Sequence, residues 1–168
     1  MKRTKKLALM ALLTAMALVV FVIEAQIPAP VPVPGVKLGL ANVITLTTML
    51  LLGRKEAGTV LLVRIIMGSM FAGGPSALIY SMAGGALAYL IMCLLLKPLG
   101  GERVWALSAL AAVGHNVGQI AACVLIVKTP GIWGYLPVLV ISGVVTGIFT
   151  GFAAMYLVKA LDKSGIMK

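Results

Sequence analysis

Long apolar runs, separated by short polar or Pro- and Gly-containing segments, dominate the pattern along this chain. Six runs can be marked, at residues 7–25, 38–53, 57–72, 76–96, 104–127 and 136–158. A backbone in lipid must satisfy its hydrogen bonds within its own segment, so each run is predicted to be an α-helix. The second and third runs give only about 24 Å of helix, short of a bilayer core of about 30 Å. They are therefore predicted to form a tilted or partly re-entrant pair.

Composition places most of this chain in lipid. Of its 168 residues 61% are hydrophobic and 11% are charged, and its mean hydropathy is +1.12. Soluble domains carry roughly 25% charged residues, so a soluble globular protein is excluded. The predicted fold class is an all-α integral membrane protein, a bundle of six transmembrane helices in a single domain over residues 1–168. No stretch outside the runs is long enough for a separate catalytic domain.

The positions of the basic residues predict the orientation of the bundle. Of the fourteen Lys and Arg residues, eleven fall on one side of this layout, two (Lys37 and Lys128) fall on the other, and Arg64 lies inside a run. The positive-inside rule then places both termini in the cytoplasm and the chain in the cell membrane as a multi-pass protein. The net charge of +10 is thus a topology signal and predicts no nucleic-acid partner. An added attraction for anionic lipid headgroups remains an open alternative.

Arg64 is the most unusual residue within the runs, because a charge at membrane depth is costly unless it is paired or faces a cavity. It lies halfway along the third run, whereas all four acidic residues lie near run ends. Pairing with Glu24 would need an irregular helix, since Arg64 is about 12 Å below the end of its run. Two alternatives stay open: an anionic or hydrogen-bonding ligand, or backbone carbonyls of a broken helix.

The fifth run holds a second group of polar residues, His115, Asn116 and Gln119, at helical spacings of three and four. Together with Arg64, two residues of other runs, Asn42 and Tyr80, complete a candidate polar pocket open to the outer side. The alternative interpretation is hydrogen bonding between helices.

Small residues recur at intervals of four in three runs, a pattern typical of close helix packing in membranes. The stripes are Gly143/Gly147/Gly151, Gly114/Gly118/Ala122 and Ala11/Ala15. Contacts within one bundle explain the glycine stripes. For Ala11 and Ala15 a partner protein is an equally good explanation.

Catalytic constellations are missing from the sequence. Asp162 is the only Asp, so no acidic pair can hold Mg²⁺ for phosphoryl or diphosphate chemistry. The two Cys residues lack metal-site spacing, and there is no nucleotide-binding Walker motif. The expectation is a non-enzyme with no metal and no cofactor, unable to power transport by itself.

The stretch of residues 34–42, Pro-Gly-Val-Lys-Leu-Gly-Leu-Ala-Asn, follows a first helix with an AxxxA motif. In this respect the sequence resembles the Gx transporter family, often labelled heptaprenyl diphosphate synthase component I, which is similar to the S components of energy-coupling-factor (ECF) transporters. The resemblance implies a six-helix substrate-binding protein whose first outer loop caps a pocket. It implies that Lys37 and Asn42 contact ligand, and that Ala11 and Ala15 meet a transmembrane coupling subunit driven by two ATPase subunits.

The expected function is therefore an S-component-like subunit that captures a small amphiphilic or anionic metabolite, such as a prenyl or quinone precursor or a vitamin. The alternative is a non-catalytic membrane accessory subunit of a polyprenyl diphosphate synthase. A structural membrane protein without a ligand is a third possibility. The missing acidic motif argues against catalysis by this chain itself.

Overall fold

The computed structural model describes residues 3–27, 38–72 and 74–164. Within these ranges the chain forms six α-helices: α1 (Arg3–Gln26), α2 (Asn42–Leu52), α3 (Arg54–Ala72), α4 (Gly74–Leu99), α5 (Val104–Val127) and α6 (Leu136–Lys163). Short 3₁₀ segments, Gly101–Arg103 and Pro130–Tyr135, precede α5 and α6. The described part of the chain has no strands, so the all-α prediction is confirmed there.

Four helical segments, those that contain α1, α4, α5 and α6, are long and apolar enough to cross a membrane. The helix α2 has only 11 residues, or about 16 Å. It begins at Asn42 rather than at the predicted residue 38, and α3 begins at Arg54 rather than at 57. Six crossings and a cytoplasmic location of the termini therefore stay predictions.

The short helix α2 lies in the centre of the bundle. Eight consecutive residues, 42–49, are buried, so this helix has no exposed face. It contacts α1, α3, α4 and α6. Most of its residues are apolar, and the hydroxyls of Thr47 and Thr48 bond to its own backbone, so the helix suits a buried position.

A single residue, Gly53, connects α2 to α3. Its backbone angles, φ 104° and ψ 179°, belong to a region that glycine alone adopts readily. Because α3 starts immediately afterwards, residues equally far from Gly53 lie side by side across this helical hairpin. Asn42 and Arg64, each eleven positions from Gly53, are such a pair.

Backbone contacts join α5 to its two neighbours, α4 and α6, against which it packs most extensively. A Cβ on Gly147 or Gly151 of α6 would lie 2.5 Å from the Cα of Ala109 or Trp105, respectively. On the other side, a Cβ on Gly118 would lie 2.6 Å from the carbonyl oxygen of Ala83. These glycine stripes therefore pack within the bundle.

The helix α1 runs parallel to α3, with Lys6 paired to Glu56 at one end and the Phe21 ring against Gly68 towards the other. Its buried face is formed by Leu9, Leu13, Ala17, Phe21 and Glu24. Ala11 and Ala15 lie outside this face and are exposed. Nothing in the described bundle covers the predicted partner surface of α1.

Candidate functional site: a buried polar cluster

A group of polar side chains lies in the interior, near the end of the bundle where α1 finishes and α2 begins. It is called the Arg64 cluster here. Its members are Glu24, Asn42, Thr45, Arg64, His115 and Gln119, and all are buried. Four helices supply them, so the cluster forms only in the folded bundle.

Arg64 occupies the buried face of α3 together with Ala57, Leu61 and Gly68, at spacings of three and four. It is 2% exposed. Its Nη2 donates a hydrogen bond to Asn42 Oδ1 at 3.3 Å, the contact that the Gly53 hairpin sets up. The guanidinium carbon also lies 6.0 Å from the centroid of the Phe21 ring, within the range of a cation–π interaction.

Glu24 brings an opposite charge to the cluster. It is 3% exposed, its carboxylate accepts a hydrogen bond from the Gly39 amide, and it interacts electrostatically with Arg64. Both α1 and α3 are continuous α-helices. Among the described residues no salt bridge joins Glu24 to Arg64, so the expectation that direct pairing would need an irregular helix stays a prediction.

His115 enters from the opposite side, where two glycines make room for its ring. A Cβ on Gly39 would lie 3.0 Å from both His115 Cδ2 and Asn42 Nδ2. A Cβ on Gly84 of α4 would lie 3.0 Å from His115 Cε1 and 2.8 Å from Gln119 Cγ. Gly39 also has a φ of +80°. The imidazole is thus held between the 39–41 turn and α4.

Several buried polar atoms have no hydrogen-bond partner among the described residues. They are Arg64 Nε, Asn42 Nδ2, Thr45 Oγ1, His115 Nδ1 and Asn116 Oδ1. The first two can only donate. Such atoms are rare in folded proteins, since each costs about 1–3 kcal/mol when left unpaired.

Thr45 differs in this respect from its neighbours on α2. The hydroxyls of Thr47 and Thr48 donate to carbonyls four residues earlier, at 2.8 and 2.7 Å. The Thr45 hydroxyl makes no such bond and lies on the same face as Asn42, one turn further along the helix. The hydrogen-bonding capacity of Thr45 is therefore unused among the described residues.

Not all predicted site residues join this cluster. Tyr80 is buried in an apolar group with Ile120, Cys123 and Leu139. Asn116 Nδ2 donates a hydrogen bond to the Leu139 carbonyl on α6 at 2.7 Å. Asn116 therefore bonds between helices, which is the alternative to a place in the ligand pocket. Lys37 lies outside the described residues.

The accessibility of the pocket also differs from the prediction. Asn42, Arg64, His115 and Gln119 are at most 6% exposed, so the cluster is closed in this structure rather than open to one side.

The polarity pattern of the runs does not predict Gly39 or Thr45 as members of this site, and it suggests Glu24 only as a distant partner of Arg64. A usable signal for the Asn42–Arg64 contact is the equal spacing of both residues from Gly53. Within the described ranges, no three His, Cys, Asp or Glu side chains lie together as ligands of a metal would.

These features define a helical membrane protein with a closed polar cluster in its interior. The model of a family described as heptaprenyl diphosphate synthase component I matches residues 13–157. The chain belongs to this family, as the resemblance in the sequence indicates. The matched region includes the whole Arg64 cluster. Searches of curated proteins and of solved structures find no match to this chain.

Proposed function

We propose that this protein is a membrane substrate-binding subunit, similar to the S component of an ECF-type uptake transporter, and that it holds its ligand at the Arg64 cluster. One observation carries the proposal: two neighbouring donors, Arg64 Nε and Asn42 Nδ2, are buried without acceptors among the described residues. A ligand with acceptor oxygens would satisfy both donors. In a low-dielectric interior such hydrogen bonds are strong.

The charges of the cluster restrict the ligand. Because Glu24 offsets the charge of Arg64, the ligand needs acceptor oxygens but no large negative charge. Carboxylate, phosphate or quinone carbonyl oxygens meet this requirement. The Phe21 ring beside Arg64 supplies an apolar wall, which suits an amphiphilic metabolite such as a prenyl or quinone precursor, or a vitamin.

The Thr45 hydroxyl offers a test that does not disturb the fold. Thr45→Val removes a buried unpartnered hydroxyl, so stability should stay equal or rise. The amount of small molecule retained by the purified protein, measured by native mass spectrometry, should fall about 5- to 10-fold. Thr48→Val is the matched control, because that hydroxyl bonds its own helix. Equal retention in wild type and Thr45→Val, or an equal loss in both variants, would contradict the proposal.

The exposed small-residue surface of α1, formed by Ala11 and Ala15, supports docking of a transmembrane coupling subunit, with two ATPase subunits as the energy source. Close approach of two membrane helices needs small residues at the interface. Ala11→Leu and Ala15→Leu should therefore abolish copurification with the coupling subunit and leave thermal stability unchanged. Ala160→Leu, at an exposed position of α6, is the control. Retained copurification after both changes would exclude this surface as the interface.

A second candidate function is favoured by the family description. A non-catalytic accessory subunit of a polyprenyl diphosphate synthase would form a stable complex with a soluble synthase subunit. Deleting this protein should then alter the chain length of the synthase product. Copurification with a membrane coupling subunit and unchanged product length would favour the transport function instead.

A further inference from the structure

A narrow groove lies on the surface of the bundle, between α3 and α4. It has a volume of about 220 Å³, and its surface, as the described residues form it, is entirely apolar. Leu62 and Ala86 at its rim are exposed, so in a membrane the groove faces lipid. It shares no residue with the Arg64 cluster. Its lining includes Gly58, Leu61 and Ile65 of α3 and Met82, Ala86 and Tyr89 of α4.

The floor of the groove is shaped by a glycine and a tyrosine. A Cβ on Gly58 would lie only 3.1 Å from the Tyr89 hydroxyl oxygen, so the phenol ring lies directly against α3. That hydroxyl donates a hydrogen bond to the Arg54 carbonyl at 2.8 Å, which fixes the ring near the first turn of α3. Pockets that hold a whole small molecule measure about 300–1,000 Å³. The smaller volume of this groove suits a single hydrocarbon chain.

Both helices carry a cation beyond the same end of the groove. Arg54 precedes Gly58 by four residues and so lies on the face of α3 that lines the groove. On α4, Lys97 follows Tyr89 by eight residues, just over two turns, and lies in the last turn of that helix. Both cations are exposed, and neither forms a salt bridge among the described residues. An anionic group at this end of the groove would therefore meet two positive charges.

We propose that the groove between α3 and α4 binds a phospholipid of the surrounding bilayer that carries a net negative headgroup. One acyl chain lies over Gly58 and Ala86, and the phosphate contacts Arg54 and Lys97. The apolar groove alone would accept the chain of any lipid. The two cations select an anionic headgroup over a zwitterionic one, because only the anionic headgroup complements their charge.

The test measures lipid binding to the purified full chain in detergent by native mass spectrometry. The probe is palmitoyl-oleoyl phosphatidylglycerol, and palmitoyl-oleoyl phosphatidylcholine, which has the same chains, is the zwitterionic comparison. Wild type should bind one phosphatidylglycerol about 30-fold more tightly than phosphatidylcholine. In the double variant Arg54→Gln/Lys97→Gln the two lipids should bind within about threefold of each other, through loss of two cation contacts. The bond from Tyr89 is kept, because its acceptor is the backbone carbonyl of residue 54.

The matched charge control is Lys5→Gln/Lys159→Gln, which removes two exposed cations from α1 and α6, helices that do not line the groove. Its dissociation constant for phosphatidylglycerol should stay within about twofold of wild type, because attraction between exposed charges is screened over about 10 Å. Equal weakening in both charge variants would mean a general surface potential and overturn the proposal. Equal affinity of wild type for the two lipids would overturn it as well.

The position of the acyl chain is tested separately. Ala86→Phe places a ring in the groove from an exposed position and should weaken binding of both lipids about 10-fold, the equivalent of about two buried methylenes. Ala160→Phe, at an exposed position of α6, is the control and should leave binding unchanged. Unchanged binding in Ala86→Phe would exclude the groove. Thr45→Val should bind phosphatidylglycerol as wild type does; a loss there would assign the lipid to the Arg64 cluster, so failure of this proposal and failure of the proposed function are distinguishable.

Discussion

Arg64→Met should destabilise this protein, although it replaces a buried charge by an apolar side chain of similar length. The reason is Glu24, whose buried carboxylate loses the opposite charge that interacts with it. Leaving a buried charge without a nearby opposite charge costs about 3–5 kcal/mol. Asn42 Oδ1 also loses its hydrogen bond, which adds about 1 kcal/mol.

The double variant Arg64→Met/Glu24→Gln removes both charges and should regain most of the lost stability. The new amide oxygen at position 24 can still accept the hydrogen bond from the Gly39 amide. Replacing two buried opposite charges by neutral groups is often close to neutral in stability. The two substitutions are therefore expected to couple by about 2 kcal/mol or more.

Thermal unfolding in detergent measures this coupling. Cys123 is buried and Cys93 is partly exposed, so in a Cys93→Ala background a thiol-reactive fluorogenic dye reports the loss of structure. A destabilisation of about 4 kcal/mol corresponds to a decrease in Tm of about 8–16 °C for a chain of this size. The double variant should lie within about 5 °C of wild type. If the single and the double variant unfold at the same temperature, Glu24 does not depend on Arg64 and the electrostatic argument fails.

Two further predictions concern glycines and use the same thermal assay. Gly147→Val forces a side chain into the Ala109 backbone and should lower the free energy of unfolding by at least about 2 kcal/mol. Gly134→Ala is the control: no atom lies within 4 Å of the added Cβ, so stability should change by less than about 0.5 kcal/mol. Gly39→Ala and Gly101→Ala share a positive φ and hence a backbone strain of about 1–2 kcal/mol. Only Gly39→Ala also meets neighbouring side chains at 3.0 Å, so it should be the more destabilising of the two by about 1 kcal/mol. Equal effects of that pair would show that the contact with His115 is not tight.

The helical architecture follows directly from the apolar runs, because a backbone in lipid has few alternatives to the helix. Each of the six runs corresponds to one helix, and the small-residue stripes on α5 and α6 identify a seam that the structure contains. The position of each residue along the axis of the bundle is harder to derive from the sequence. Counting residues to the end of its own run does not reveal that Arg64 bonds to Asn42 while Glu24 bonds to the nearby Gly39 amide.

The site is partly predictable for the same reason. Asn42, Arg64, His115 and Gln119 come together as expected from their polarity in apolar surroundings. Tyr80 and Asn116 have the same polar character but point to a different neighbour, the Leu139 region of α6. The rotation of a helix about its axis decides between these outcomes, and a run that is apolar on all sides carries little information about that rotation.

The contrast between two kinds of interhelical contact has a mechanical consequence. Where α5 contacts α4 and α6, a Cβ on Gly118, Gly147 or Gly151 would meet backbone atoms of the neighbouring helix. Backbone atoms cannot move aside as a side chain can, so these three helices form a stiff unit. Between α3 and α4, by contrast, Gly58 and Gly85 meet the ends of Tyr89 and Ile65, side chains that can change rotamer. The contact between α3 and α4 is therefore more easily rearranged than the contacts of α5, while α2 packs against both α3 and α6. Arg64 of α3 and His115 of α5 lie on either side of this adjustable contact.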